Sequence, residues 1–112
     1  MGKQVKKMKE TPFDTIWQTI LSSLKPGMFI RNWTPLKGYL GDEMKVVDVS
    51  SDKVVIEAPK AKHLVSVYCT DFQNVWQVWP AYKTGKVGRR EVCDMTYKSK
   101  YIISIFHWIE SN

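Results

Sequence analysis

Apolar residues near the start of the chain recur at the spacing of an α-helix. They stand at i, i+3, i+4, i+7, i+8 and i+11, which gives one continuous stripe: Phe13, Ile16, Trp17, Ile20, Leu21 and Leu24. Thr11 can cap such a helix, Pro12 suits its first turn, and Asp14 lies near the positive end of the helix dipole. The pattern therefore predicts a helix that begins near Thr11 and ends at residues 25–27, where Pro and Gly follow Lys.

Short β-rich runs joined by turns follow this helix. Residues 28–33 predict a strand, and residues 34–42, which contain one proline and two glycines, predict a loop. Two further runs, 43–49 and 53–58, are separated by Ser-Ser-Asp and predict a hairpin. Another β-rich run covers residues 63–69. Strands joined by such short turns favour an antiparallel meander.

A second helix is predicted to begin at residues 70–73, whose Thr-Asp-Phe-Gln sequence matches a capping box. Its apolar stripe consists of Phe72, Val75, Trp76 and Trp79. Pro80 should end or kink this helix, because proline has no backbone N–H and clashes with the preceding turn. Residues 83–90 then predict a basic loop, and residues 91–96 stay unassigned, with a short strand as one alternative.

The last segment, residues 98–110, fits two kinds of element. Its β-branched isoleucines would suit a strand. Its apolar positions do not alternate, however, and they fall at helical spacing over two turns: Tyr101, Ile102, Ile105, Phe106 and Ile109. We therefore favour a helix here.

This order of elements predicts an α+β fold, with an antiparallel sheet of three to five strands and N-terminal, middle and C-terminal helices packed on it. The length of 112 residues fits one domain. We expect residues 1–10 to form a flexible basic arm, because they show no periodicity, and residues 11–112 to form the domain. An apolar content of 44% with 25% charged residues excludes a largely disordered chain.

The formal net charge of +6 is unevenly distributed. Residues 1–10 carry four lysines and one glutamate, so that half of the net charge belongs to the arm. The chain has 14 lysines and only three arginines, whereas proteins that read bases or hold phosphates bidentately favour arginine. Any nucleic-acid affinity should therefore be weak, non-specific and sensitive to salt.

The expected compartment is the cytoplasm. No apolar run approaches the roughly 18 residues that a membrane span needs, and the lysines near the start precede no apolar signal segment. Cys69 and Cys93 lie far apart in the sequence, and we expect both to be reduced thiols.

The succession of three segments resembles small uncharacterised bacterial proteins. These segments are Phe13-Asp14-Thr15-Ile16-Trp17 at the start, Asp71-Phe72 with Val75 and Trp79 in the middle, and Ser99-Lys100-Tyr101-Ile102-Ile103-Ser104-Ile105 at the end. Proteins with this order of elements are carried on phages, genomic islands and integron gene cassettes. The resemblance implies the fold order and a mobile-element setting, and it carries no active site.

Two short motifs have the Gly-x-x-Gly form of a phosphate-binding loop, residues 38–41 and residues 85–88. The second is the stronger candidate for a phosphate or nucleic-acid contact, because four basic residues accompany it: Lys83, Lys86, Arg89 and Arg90. A flexible, solvated loop is the alternative, since two glycines are a weak signal.

Aromatic residues near the ends of elements form the second group of candidates. Five tryptophans are many for this length, and aromatic residues beyond those that a core needs are typical of interfaces and small-molecule pockets. The candidate ligand or interface residues are Trp33, Trp79, Tyr82, Ile103 and Trp108. Because Ile103 and Trp108 fall beside the apolar stripe of the last helix, that helix either sinks deeply into the protein or meets a partner, and a homodimer is the expected partner.

Catalytic and metal chemistry have little support in the sequence. The soft ligands His63, Cys69, Cys93 and His107 lack the close pairing of a zinc site. We therefore predict no metal and no cofactor, and we favour a non-enzymatic binding protein that recognises a protein or small ligand through an aromatic-rich surface. Weak nucleic-acid binding through residues 83–90 and the arm is the first alternative, and a small enzyme whose site is spread over the fold is the second.

Deletion of residues 1–10 should leave folding unaffected. The segment has no apolar periodicity, so its loss should change the melting temperature by less than about 2 °C, as when no buried contact is removed. Thermal unfolding followed by circular dichroism, with the full chain as reference, measures this. A much larger drop would mean that the arm is docked on the domain.

Overall fold

The protein folds as a sheet of antiparallel strands with helices packed against it. The computed structural model describes residues 12–60, 63–96 and 98–111. Within these residues the elements, in chain order, are α1 (Phe13–Ser23), β1 (Phe29–Thr34), β2 (Gly38–Val49), β3 (Lys53–Glu57), β4 (Leu64–Tyr68), α2 (Cys69–Lys83), α3 (Arg89–Met95) and α4 (Ser99–Ser111). The sheet has the order β1-β2-β3-β4, and each strand pairs antiparallel with the next. The predicted α+β class with a meander sheet is confirmed.

Alternation along the strands decides which face of the sheet is buried. Cross-strand partners on the inner face include Ile30 with Met44 and Val54 with Val67, and all four side chains are buried. Their neighbours in sequence point to the opposite face, where several large apolar residues are exposed, among them Phe29, Leu64 and Tyr68. The sheet thus has one face toward the core and one toward solvent, which is typical of antiparallel sheets.

The loop predicted over residues 34–42 is much shorter than expected, and this prediction was wrong for residues 38–42. Strand β2 begins at Gly38, directly after a turn over residues 35–37. Gly38 and Gly41 have φ angles of 74° and 104°, which side chains rarely allow. The two glycines therefore mark a hairpin turn and an irregularity of the strand, where the register with β1 shifts. The Asn32 amide donates to Asp42 at this point over 2.7 Å.

Helix α2 begins one residue earlier than predicted and continues past Pro80. Its N-cap is Tyr68, and the Asp71 carboxylate accepts a hydrogen bond from the Tyr68 backbone N–H over 3.0 Å, so Thr70 is not the cap. Pro80 lies inside the helix with its ring exposed, and the helix ends only at Lys83. Tertiary packing explains the difference, because Trp79 and Tyr82 on either side of Pro80 are both buried.

Residues 91–96, for which a short strand was one alternative, belong instead mostly to helix α3. Gly88 is its N-cap, and the Glu91 carboxylate accepts a hydrogen bond from the Gly88 N–H over 2.7 Å. An acidic residue three positions after the cap is an ordinary helix-start signal. Arg89 and Arg90, assigned from the sequence to a loop, form the first turn of this helix.

Helix α4 confirms the helical alternative for the last segment, and it is buried on nearly every side. All side chains from Tyr101 to Phe106 are buried, and Ile103 is only 1% exposed. The helix packs on β1 and also against α1, α2 and α3. Of the two alternatives for Ile103, deep burial is the one observed, so a homodimer contact would have to involve other residues, such as the half-buried Trp108. The homodimer stays a prediction.

Lys98 ties the start of α4 to the edge of the sheet. Its ammonium group donates to the Ser66 carbonyl of β4 over 2.6 Å and lies 3.4 Å from the Asp71 carboxylate of α2. The Asp71 carboxylate also caps α2, so one small polar group joins a strand and two helices.

Two sequence predictions lie outside the described residues: the basic arm over residues 1–10 and the cap at Thr11. Among the residues that are described, no helix has the length and apolar character needed to cross a bilayer.

Replacement of Ile103 by alanine should destabilise the protein strongly. The side chain is enclosed by the core, so Ile103→Ala should lower the free energy of unfolding by about 2–5 kcal/mol. Leu36→Ala is the control, because Leu36 is 90% exposed, and it should change the value by no more than about 0.5 kcal/mol. Urea unfolding measures both variants. Equal small effects would contradict the burial of α4.

Candidate functional site

Two turns that are far apart in the sequence form the walls of one cleft of about 630 Å³. The first wall is the connection between β1 and β2, and the second is the connection between α2 and α3. The lining residues are Thr34, Pro35, Leu36, Lys37 and Leu40 on the first wall, and Tyr82, Lys83, Thr84, Gly85, Val87, Gly88 and Arg89 on the second. The cleft thus joins residues from both Gly-x-x-Gly motifs.

The first wall is held in shape by its own turn. Thr34 is buried, and its hydroxyl oxygen accepts a hydrogen bond from the Lys37 N–H over 3.1 Å. Pro35 suits this position because its φ angle is fixed in advance. The turn leaves Leu36 exposed at its tip, and Leu40 follows on β2 with 45% of its surface exposed. Both leucines therefore present apolar surface to the cleft.

The second wall is the end of helix α2. Gly85, with a φ angle of 84°, donates its N–H to the Tyr82 carbonyl, and Lys86 donates its N–H to the Ala81 carbonyl. This pair of hydrogen bonds, with glycine in the left-handed conformation just after the helix, is the Schellman motif. Gly88 then caps α3. The second Gly-x-x-Gly motif consequently consists of the end of one helix and the cap of the next.

This geometry decides whether the second motif has free backbone N–H groups that could bind an anion. The backbone N–H groups of Gly85, Lys86 and Val87 donate to carbonyls of α2, and that of Gly88 donates to the Glu91 carboxylate. None of these four groups is free to hold a phosphate, as a nest of amides would require. Any attraction for anions at this wall must come from side chains.

The charged side chains that line the cleft are cationic. They are Lys37, Lys83 and Arg89, and the described part of the lining contains neither aspartate nor glutamate. Lys83 forms an ion pair with Glu110 of α4, at 3.0 and 3.1 Å from its two oxygens. Burial raises the pKa of Tyr82, and the nearby positive charge of Arg89 opposes this rise. Lys37 and Arg89 are therefore the lining cations that form no ion pair among the described residues.

An aromatic cluster lies beside the first wall, on β1, β2 and α4. The rings of Trp33 and His107 are stacked at 3.8 Å with an angle of 6° between them. The hydroxyl groups of Tyr39 and Ser111 lie 3.2 and 3.3 Å from His107 Nε2. The guanidinium group of Arg31 sits over the Tyr39 ring at 4.3 Å. The cluster holds the hairpin against the last helix.

The structure separates the predicted aromatic candidates. Trp79 is fully buried, and its indole N–H has no hydrogen-bond partner among the described residues, so Trp79 belongs to the core together with Ile103. Trp33 and Trp108 are half-buried, and Tyr82 is the member of this group that lines the cleft.

The sequence did not predict the residues of the first wall as candidates, because only the tertiary structure brings them close to the second wall. Leu36, Lys37 and Leu40 lay in a predicted loop with no partner, and nothing in the sequence paired that loop with residues 83–90. The glycine at position 38 after a proline could have signalled a hairpin tip. His107 and Tyr39 gave no signal at all.

Among the described residues, the thiols, histidines and carboxylates give no support to a metal site. In residues 12–60, 63–96 and 98–111, no three of these groups come together in a way that could hold a metal ion. Both cysteines are free; Ser99 Oγ lies 3.6 Å from Cys93 Sγ, and burial raises the pKa of Cys69, with smaller contributions from Asp14 and Asp52. A raised thiol pKa disfavours the reactive thiolate at neutral pH.

Comparison with protein-family models, with curated proteins and with solved structures found no match. The mobile-element setting that the resemblance implies therefore stays a prediction.

Protonation of His107 should destabilise the fold. Burial lowers its pKa below 6.5, with Glu110 acting in the opposite direction. The unfolded chain then takes up the proton at a higher pH than the folded chain, so the contribution of neutral His107 is complete above about pH 7 and is lost as the pH falls through its folded pKa. Urea unfolding between about pH 7.5 and pH 5.5 should show a slope that His107→Gln reduces.

His63→Gln is the matched control for this prediction, since His63 is exposed. It removes a histidine without touching the aromatic cluster and should keep the slope. An unchanged slope in His107→Gln would contradict the prediction.

Proposed function

We propose that this protein is a non-enzymatic binding protein that takes a small ligand in the cleft between the β1–β2 turn and the α2–α3 turn. The observation that carries the proposal is the cleft itself, with about 630 Å³ of space between two well-ordered turns. Small-molecule sites usually have about 300–1,000 Å³ and combine an apolar lining with a few polar groups.

The apolar lining supports binding because the core leaves part of its surface uncovered. Leu36 and Leu40 are largely exposed at the first wall, and Val87 lies opposite on the second. Exposed leucines are unremarkable singly, but here they converge on one concave surface. Tyr82 adds an aromatic ring, and Trp33 and Tyr39 lie on the strands that carry the first wall.

The polar lining supports binding without catalysis. In the part of the chain that the structure describes, no carboxylate, imidazole or thiol group lines the cleft. The two hydroxyl groups of threonine are engaged, since Thr84 Oγ1 donates to the carbonyls of α2 and Thr34 Oγ1 accepts from Lys37. A nucleophile with an adjacent base, as covalent catalysis requires, is not formed by these groups.

Weak nucleic-acid binding is the second candidate. The exposed side chains of Lys86 and Arg90 lie next to Arg89, so three cations follow one another along the α2–α3 turn and the first turn of α3. Such binding would rest on charge alone and would fade between low and physiological salt, because the backbone amides of the turn are already engaged.

We also propose a reducing, cytoplasmic setting, which the two free cysteines support.

Binding in the cleft can be tested with a neutral fluorescent dye, N-phenylnaphthylamine. The dye should gain fluorescence with the protein, and the double variant Leu36→Ser/Leu40→Ser should bind it about tenfold more weakly, since apolar contact area is lost from one wall. Fluorescence titration measures both affinities, and circular dichroism verifies that the variant is folded.

The matched control is Phe29→Ser/Leu64→Ser, which removes two exposed apolar side chains from the open face of the sheet. It should leave dye binding unchanged. If the control weakens binding as much as the cleft variant does, or if no dye binds, the cleft is not the binding site.

A further inference from the structure

The cleft has apolar side chains and positive charge on both walls, and this combination defines a ligand class. We propose that the ligand is a small organic acid, with an apolar body held between the two turns and a single anionic group held by Arg89 and Lys37. This inference rests on the proposed function and assigns its ligand class. Charge complementarity carries it, because Lys37 and Arg89 line the cleft and neither forms an ion pair with a carboxylate among the described residues.

Arg89 is the principal anion-binding residue because it is the arginine among the lining residues and its backbone begins a capped helix. It is the first residue of α3, and the start of this helix is set by the hydrogen bond from the Gly88 N–H to the Glu91 carboxylate. The guanidinium group lies close enough to Tyr82 at the cleft to affect its hydroxyl group electrostatically. An arginine can hold a carboxylate or phosphate group through two parallel hydrogen bonds.

Lys37 supplies the second charge from the opposite wall. Its backbone is fixed by the hydrogen bond to Thr34, which places the residue at the rim of the cleft. Lys83 is different, because Glu110 holds its ammonium group in an ion pair. Among the described residues, neither Lys37 nor Arg89 has such a carboxylate partner. Two positive charges therefore remain for the ligand.

The same observations favour a small acid over a polyanion. The amides around Gly85 and Gly88 are engaged within the chain, so the site lacks the row of backbone donors that a chain of phosphates would use. The leucines and Val87 would stay solvated under a nucleic-acid backbone, whereas an apolar ligand body covers them. The anion fixes the orientation of the ligand, and the apolar surface supplies the contact area.

A pair of dyes with the same aromatic body tests this inference on the full chain. Anilinonaphthalene sulfonate carries one negative charge, and N-phenylnaphthylamine carries none. We expect the sulfonate to bind about tenfold more tightly, and Arg89→Gln to remove most of this preference while leaving the neutral dye unaffected, since Lys37 is then the one charged group of the pair that remains. Decanoate should displace the sulfonate, and decanol should do so less well.

Arg90→Gln is the matched control, because Arg90 is the next residue of α3, is exposed and does not line the cleft. It makes the same change in net charge and should keep the preference for the sulfonate. Equal binding of the two dyes, or an equal loss in Arg89→Gln and Arg90→Gln, would overturn the acid assignment while the cleft remained a binding site. Failure of both dyes to bind would instead overturn the proposed function.

Discussion

The burial of helix α4 is the constraint on which the remaining structure depends. A helix at the surface of a sheet buries one stripe of side chains, whereas α4 buries every side chain from Tyr101 to Phe106. Such a helix needs apolar partners on all sides, and β1, α1, α2 and α3 provide them. The buried hydroxyl of Ser104 is satisfied, because Ser104 Oγ accepts the N–H of Trp33 over 3.0 Å and donates to the Lys100 carbonyl. A free hydroxyl at this depth would cost about 1–3 kcal/mol.

The position of α4 also sets the distance between the two walls of the cleft. Near its C-terminus the helix holds the β1–β2 hairpin through the stack of His107 on Trp33, and it holds the end of α2 through the ion pair of Glu110 with Lys83. The two walls are thus attached to adjacent turns of one helix. The ion pair is half-exposed and contributes little to stability by itself, but it fixes where Lys83 stands relative to the cleft.

Periodicity predicted α1 and α4 because each has a long apolar pattern, and it predicted the strands because short turns separate them. The sequence prediction was wrong where one residue type occurs in two kinds of structure. Glycine at positions 38 and 41 indicated a loop, although it serves a hairpin turn and a bulged strand. Pro80 indicated a helix end or a kink, and the helix continues past it because packing of its neighbours outweighs the lost hydrogen bond. At the candidate site, the sequence identified residues of the second wall as separate candidates: Tyr82, Lys83 and Arg89. It did not identify the first wall, because contacts between segments that are distant in the sequence bring the two walls together.

The hydrogen bond of Lys98 to β4 has a consequence for assembly. Strand β4 is at the edge of the sheet, and an edge strand with free carbonyl and amide groups can pair with a strand from another molecule. Here the Ser66 carbonyl already accepts a hydrogen bond from Lys98, and the Tyr68 N–H already donates one to Asp71. An incoming strand would have to displace a half-buried cation before it could continue the ladder, although exposed Leu64 and Tyr68 would otherwise favour its approach. The basic side chain that anchors α4 thereby protects the sheet against extension into cross-β aggregates.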